Sequence, residues 1–126
     1  MTFYIAGKIT GDPDYKSKFD AMKDKILEAW PWWQVLSPAD NPKGMSNADY
    51  MRLSFAMIDC ADVVIFFPDW EESKGARIEK AYCEYIQKIC VCWDLQTPLA
   101  QSAYESNQSI NLKKERRAVP HGSANL

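Results

Sequence analysis

The chain predicts a three-layer α/β fold in which a parallel sheet of four or five strands carries helices on both faces. Three observations lead there. Short apolar runs alternate with longer segments whose apolar residues recur every three or four positions, and Gly- or Pro-bearing loops follow the runs. The run Ala61-Asp-Val-Val-Ile-Phe-Phe67 also lacks the polar alternate of a half-exposed strand, so both of its sides need cover.

Each element has its own signal. Thr2 to Ala6 is a short apolar strand, and the loop Gly7-Lys-Ile-Thr-Gly-Asp-Pro13 behind it holds two glycines that free the backbone for close approach to a ligand. Tyr15, Phe19, Met22, Ile26, Leu27 and Trp30 form one helical stripe, which Pro31 ends. Trp33 to Leu36 is the second strand. The following loop, Ser37 to Gly44, holds prolines and turn formers that forbid regular structure.

Ser46-Asn-Ala-Asp49 reads as a capping box variant that starts a helix with Tyr50, Phe55, Met57 and Ile58 among its apolar residues. Strand three is Asp62 to Phe67. After a polar loop from Asp69 to Lys74, Gly75 opens a helix over Ala76 to Lys88 that buries Ile78, Tyr82, Tyr85 and Ile86, with Glu79 in its first turn. Ile89 to Trp93 is the fourth strand. Right-handed crossovers then give the order 2-1-3-4, with a fifth strand allowed, as in Rossmann-like (flavodoxin-like) folds. The switch point falls between strands one and three, where their loops face each other and ligands collect.

The 126 residues, 47% hydrophobic and 13% aromatic, suit one domain, placed at 1–96, with a polar tail over 97–126 that holds at most one short helix from Ala100 to about Leu112. A net charge of −2 gives no footprint for a nucleic-acid polymer, and the basic cluster Lys113 to Arg117 reads as a solvated face. Cys60, Cys83, Cys90 and Cys92 lie in apolar segments and read as reduced core thiols; no metal and no cofactor is expected. No run is long enough to span a membrane, and the chain begins on a strand without a charged leader, so a cytoplasmic protein is expected. Trp30, Trp32 and Trp33 surround Pro31 as core residues or as an apolar patch for a partner subunit.

Several motifs in order, Tyr4-Ile-Ala-Gly-Lys-Ile-Thr-Gly11, Ala61-Asp-Val-Val and Ser73-x-Gly-x-x-x-Glu79, resemble the nucleoside 2-deoxyribosyltransferase-like superfamily. Within it, Tyr-Met-Arg, Pro-Asp-Trp-Glu and Ser-Lys-Gly-Ala-Arg-Ile-Glu are similar to a branch of small phage and prophage proteins of unassigned function. The resemblance spans roughly Tyr4 to Trp93. It implies cleavage of the bond between C1′ of a deoxyribose and a nucleobase, by hydrolysis or by transfer to a second base. Glu79 is then the nucleophile and Tyr4 the donor that holds it, while Gly7, Lys8, Ile9, Thr10, Gly11 and Ser73 hold sugar or 5′-phosphate. A nucleoside or nucleotide is the implied partner, and a homodimer or higher homo-oligomer the implied assembly.

One position departs from the pattern. Where the resemblance calls for an aspartate that helps protonate the leaving base, this chain has Ser54, and a serine is no acid at neutral pH. Asp49, Asp69 and Glu72 stand in nearby segments as substitutes. The residues therefore leave open a protein that binds a nucleotide or signal molecule without turning it over, or an interaction module. They also leave bland readings open: Glu79 as a helix-start acid favoured by the dipole, Tyr4 as a core aromatic, the glycines as turn formers and Arg77 as an exposed cation instead of a phosphate ligand. Trp70 is placed to stack on a base, and Gly75 joins the loop set that converges on the switch point.

Overall fold

The computed structural model describes residues 1–99. The elements follow as β1 (Thr2–Ala6), α1 (Tyr15–Ala29), β2 (Gln34–Leu36), α2 (Asn47–Cys60), β3 (Val63–Phe66), α3 (Lys74–Tyr85) and β4 (Ile89–Cys92). All strands pair in parallel in the order β2-β1-β3-β4, which makes four strands among the described residues. The switch point lies between β1 and β3, where Phe3 to Ala6 run beside Val63 to Phe66.

Alternation along the central strands divides the core in two. Phe3 and Ile5 of β1 join Ile65 and Phe67 on one face, covered by Phe19, Met22 and Ile26 of α1. Tyr4 and Ala6 join Val64 and Phe66 on the other, covered by Ile58 of α2 and Cys83 of α3. Each fully buried large apolar side chain stabilises the fold by about 1.5 to 3 kcal/mol relative to exposure. The helix starts carry their own chemistry: Ser46 Oγ accepts from Asp49 N at 3.1 Å to cap α2, and Ser73 Oγ accepts from Ala76 N at 3.2 Å to cap α3.

Several expectations change. Helix α3 begins at Lys74 and ends at Tyr85, where a tight turn through Gln87 (φ 60°) stops it, so Gly75 lies inside its first turn and Glu79 in its second. Its buried stripe is Ala76, Glu79 and Cys83, while Ile78 is 49% and Tyr85 80% exposed and Ile86 is exposed too. The polar Glu79 takes the inward position, and the apolar residues one step away are turned outward. Short 3₁₀ turns occupy Pro38–Asp40 and Pro68–Glu72, where proline at the first positions favours them, although both stretches read as irregular loops.

The tryptophans and cysteines also separate. Trp33 stacks on Phe3 at 4.5 Å and on Trp30 at 5.1 Å, which draws both tryptophans against the α1-side core and leaves only Trp32 of the three at the surface, 75% exposed. Cys83 and Cys90 are buried, but Cys60 and Cys92 are exposed, since the end of a helix and the end of an edge strand leave them uncovered. The chain still packs past residue 96: Trp93 Nε1 donates to Thr97 O at 2.7 Å, and Leu95 and Leu99 lie against the α1-side core. The short helix from Ala100 and the basic cluster at Lys113 to Arg117 fall outside the described residues. Among the described residues no helix is long and apolar enough to cross a membrane.

Candidate active site

Tyr4 sits mid-strand in β1, in register with Leu36 of β2 and Val64 of β3, and its side chain enters the α2–α3 side of the core. It is fully buried, so its hydroxyl must be satisfied from within. Two helices supply partners: the phenol donates to Glu79 Oε2 of α3, and its oxygen lies 3.1 Å from Ser54 Oγ of α2. A phenol has one proton, and a carboxylate can only accept. With that proton given to Glu79, the Ser54 hydroxyl donates to the phenol oxygen in turn.

Glu79 is 6% exposed. Burial pushes its carboxyl up to about 7, against the opposing pull of the Tyr4 hydrogen bond. The Tyr4 phenol is itself held well above its ordinary value, first by burial and then by the negative charge of Glu79, so it stays a proton donor throughout the working range. The second carboxyl oxygen, Oε1, takes no hydrogen bond from the described residues. One oxygen is thus fixed by the fold, and the other has no hydrogen-bond partner among them. Near neutral pH such a group is divided between a nucleophilic or basic carboxylate and a neutral acid.

The loop behind β1 is shaped by packing and by one lysine. A Cβ at Gly7 would lie 2.7 Å from Phe67 Cδ2 and 3.0 Å from Phe67 Cβ, so glycine is required here by a neighbouring ring. Gly11 has φ +84° and closes the turn in which Asp12 N donates to Ile9 O at 3.1 Å. Ile9 packs partly against the α1-side core, and Thr10 is exposed. Lys18 of α1 donates to Lys8 O at 3.1 Å, to Asp12 Oδ2 at 2.7 Å and to Asp69 Oδ2 at 2.7 Å. Asp69 Oδ1 accepts from Lys8 N at 3.1 Å, which joins the loop after β1 to the loop after β3.

Of the residues singled out from sequence, Tyr4, Ser54 and Glu79 meet in one hydrogen-bonded group. Ser73 and Gly75 share the start of α3, where Ser73 is occupied as the cap. A methyl at Gly75 would meet Met51 and Ser73 only at ordinary contact, 3.7 and 3.9 Å, so the fold does not demand glycine there. Arg77 lies apart from Glu79, lining with Lys74, Ile78 and Ala81 an open groove of about 450 Å³ on the outer side of α3. Trp70 is half-buried with its ring edge-on to Phe66 at 6.0 Å and under the Lys80 ammonium at 5.4 Å.

None of the three acids weighed as substitutes for the missing aspartate joins the hydrogen-bonded group of Tyr4, Ser54 and Glu79. Asp69 is bound to Lys18, Asp49 pairs with Arg52 at 2.8 Å, and Glu72 is exposed at the end of its 3₁₀ turn. Sequence reading did not find the Lys18 junction. Its available signal was a cation three residues after Tyr15, flanking the apolar stripe of α1, whereas the Asp69 partner lies 51 residues away.

A doubly wound parallel sheet with a buried carboxyl and phenol pair beside its switch point places the chain among Rossmann-like α/β proteins with an acid built into the core. The chain belongs to the family described as Domain of unknown function (DUF4406), whose model matches residues 1–92. A solved 2-desoxiribosyltransferase from Leishmania mexicana is similar to it with a TM-score of 0.58 and 21% identity, over 73% of this chain and 63% of that one. The likeness is one of fold, and the match spans less than two thirds of that protein. No curated protein matches the chain.

Proposed function

We propose that this protein cleaves the bond between a nucleobase and C1′ of a deoxyribose, with the Glu79 carboxylate as nucleophile and a deoxynucleoside 5′-monophosphate as substrate. A glutamate oxygen bonds to C1′ as the C1′–N bond breaks, the bonding pair leaves with the base, and the base takes up a proton. Water then attacks C1′ and releases the carboxylate, so that one hard displacement becomes two easier ones. A second base in place of water would make the reaction a transfer.

The observation that carries this reading is the state of Glu79: its buried carboxyl is held at Oε2 by the phenol of Tyr4, while its Oε1 takes no hydrogen bond from the described residues. A charged-to-neutral balance near pH 7 suits a group that must carry charge before attack and lose it in the ester. A 5′-phosphate is favoured by Lys8 in the loop after β1, which none of the ion pairs among the described residues engages. The fold of the deoxyribosyltransferase neighbour supports a nucleoside-type ligand in the same way.

Ser54 favours a second reading, in which the protein binds the nucleotide and barely turns it over. Without general acid help the rate falls by about 10²- to 10⁴-fold. Incubation with the four common deoxynucleoside 5′-monophosphates, followed by chromatography for free base, separates the two. Release by the native chain supports catalysis; tight binding in calorimetry without release supports the binding protein; the absence of both rules out a nucleotide role. Ser54→Asp is expected to raise release about 10²-fold, because two carboxyls around one phenol cannot both ionise and one is kept as an acid at neutral pH.

A further inference from the structure

We propose that Lys18 is a positioning residue: its ammonium clamps the loop after β1 to the loop after β3 and so sets the shape of the ligand-holding Gly7–Gly11 segment. This rests on the proposed nucleotide site for what the loop holds, while the clamp itself is defined by atoms of this chain. An ammonium has three hydrogens, and here each has one oxygen: the Lys8 carbonyl, Asp12 Oδ2 and Asp69 Oδ2. These come from the loop after β1 and the loop after β3, and Lys18 itself comes from α1.

The surroundings make the clamp specific. All three charged side chains are largely covered, at 21 to 25% exposure, so the charges are screened less than a surface pair would be. The ammonium also stands 4.9 Å from the centre of the Phe67 ring, the same ring against which Gly7 is pressed. Asp69 uses its other oxygen to take the Lys8 amide, and Asp12 Oδ1 takes the Asp14 amide at 2.9 Å, so backbone on both sides of the loop depends on carboxylates that the lysine holds. Without that positive charge, Asp12 and Asp69 would face each other as like charges, and the loop would move off its wall.

Lys18→Met keeps the stem and removes the charge. In the ligand-free protein its Lys8 amide is expected to exchange with deuterium about tenfold faster, while amides of β1 and β3 keep their native rates. With deoxynucleoside 5′-monophosphates the dissociation constant is expected to rise about tenfold, with KM following it and kcat changing less than about threefold, since Tyr4 and Glu79 are untouched. Lys18→Arg is expected to restore most of the affinity. Asp12→Asn is expected to act in the same direction and more weakly, and it serves if Lys18→Met does not fold.

Unchanged exchange at Lys8 in a folded variant overturns the proposal, as does faster exchange with unchanged affinity. If the native chain binds none of the monophosphates, the nucleotide reading fails, and the exchange measurement alone then decides whether Lys18 shapes the loop.

Discussion

The two faces of the sheet are built from the same strands and do opposite work. On the α1 side, Phe3, Ile5, Phe19, Met22, Ile26, Ile65 and Phe67 form an apolar block to which Trp30 and Trp33 add stacked rings. On the α2–α3 side, an equally buried layer contains a phenol, a hydroxyl and a carboxyl in contact. A polar group in that position costs free energy unless paired, and an acid without a cation costs more. The difference teaches that β1 divides by parity: Phe3 and Ile5 enter the apolar block, while Tyr4 carries a hydroxyl into the other layer.

The comparison breaks most sharply at Glu79. Glu79→Gln keeps an acceptor for Tyr4 but removes the proposed nucleophile, and base release is expected to fall by about 10³-fold or more in a chromatographic assay. Phe19→Ala on the other face should do the reverse, costing about 3 to 5 kcal/mol in denaturant titration with little direct effect on the carboxyl. A mutant of the apolar face that lost activity while keeping full stability would contradict the division.

Stability against pH sharpens it further. The folded state raises the Glu79 carboxyl from 4.5 to about 7. Below the lower value the group is neutral in both states, so its burial adds no ionisation penalty. Between the two values the unfolded chain ionises first and the fold loses ground, and above the upper value the penalty is complete, about 3 kcal/mol. Glu79→Gln should therefore melt higher than the native chain at pH 8, with the gain vanishing toward pH 4.5. An equal gain at both ends would show that ionisation is not its source.

The smallest expected effect is at Tyr4. Tyr4→Phe removes the hydrogen bond that pulls the Glu79 carboxyl down, so the acid limb of the pH–rate profile should move above its native midpoint near 7, with a loss of about tenfold at neutral pH. An unmoved limb would mean that the phenol does not tune the acid.

Sheet order and strand positions were legible in the sequence because they follow from local periodicity and from the alternation of strands with helices. The buried face of α3 was not. Reading apolar residues as inward assigned Ile78 and Tyr85 to the core, whereas Ala76, Glu79 and Cys83 occupy it. Hydrophobic pattern fails at this helix because a charged residue holds the inner position, a conflict typical of places where function overrides packing. Lys18 and Asp69 lay beyond reach for another reason: their contact depends on how two loops meet, and neither loop carries a periodic signal. Gly7 read as freeing the backbone for a ligand, and the structure adds a packing reason for it, since a Cβ there would meet Phe67.

That last contact ties the two halves of the molecule together. Phe67 belongs to the apolar block, its ring 5.0 Å from Phe19, and the same ring limits residue 7 to a hydrogen. Sequence drift at position 7 is therefore hostage to position 67: an alanine could enter only alongside a smaller residue opposite. A library randomised at both sites should return paired exchanges, with bulk moving from one partner to the other.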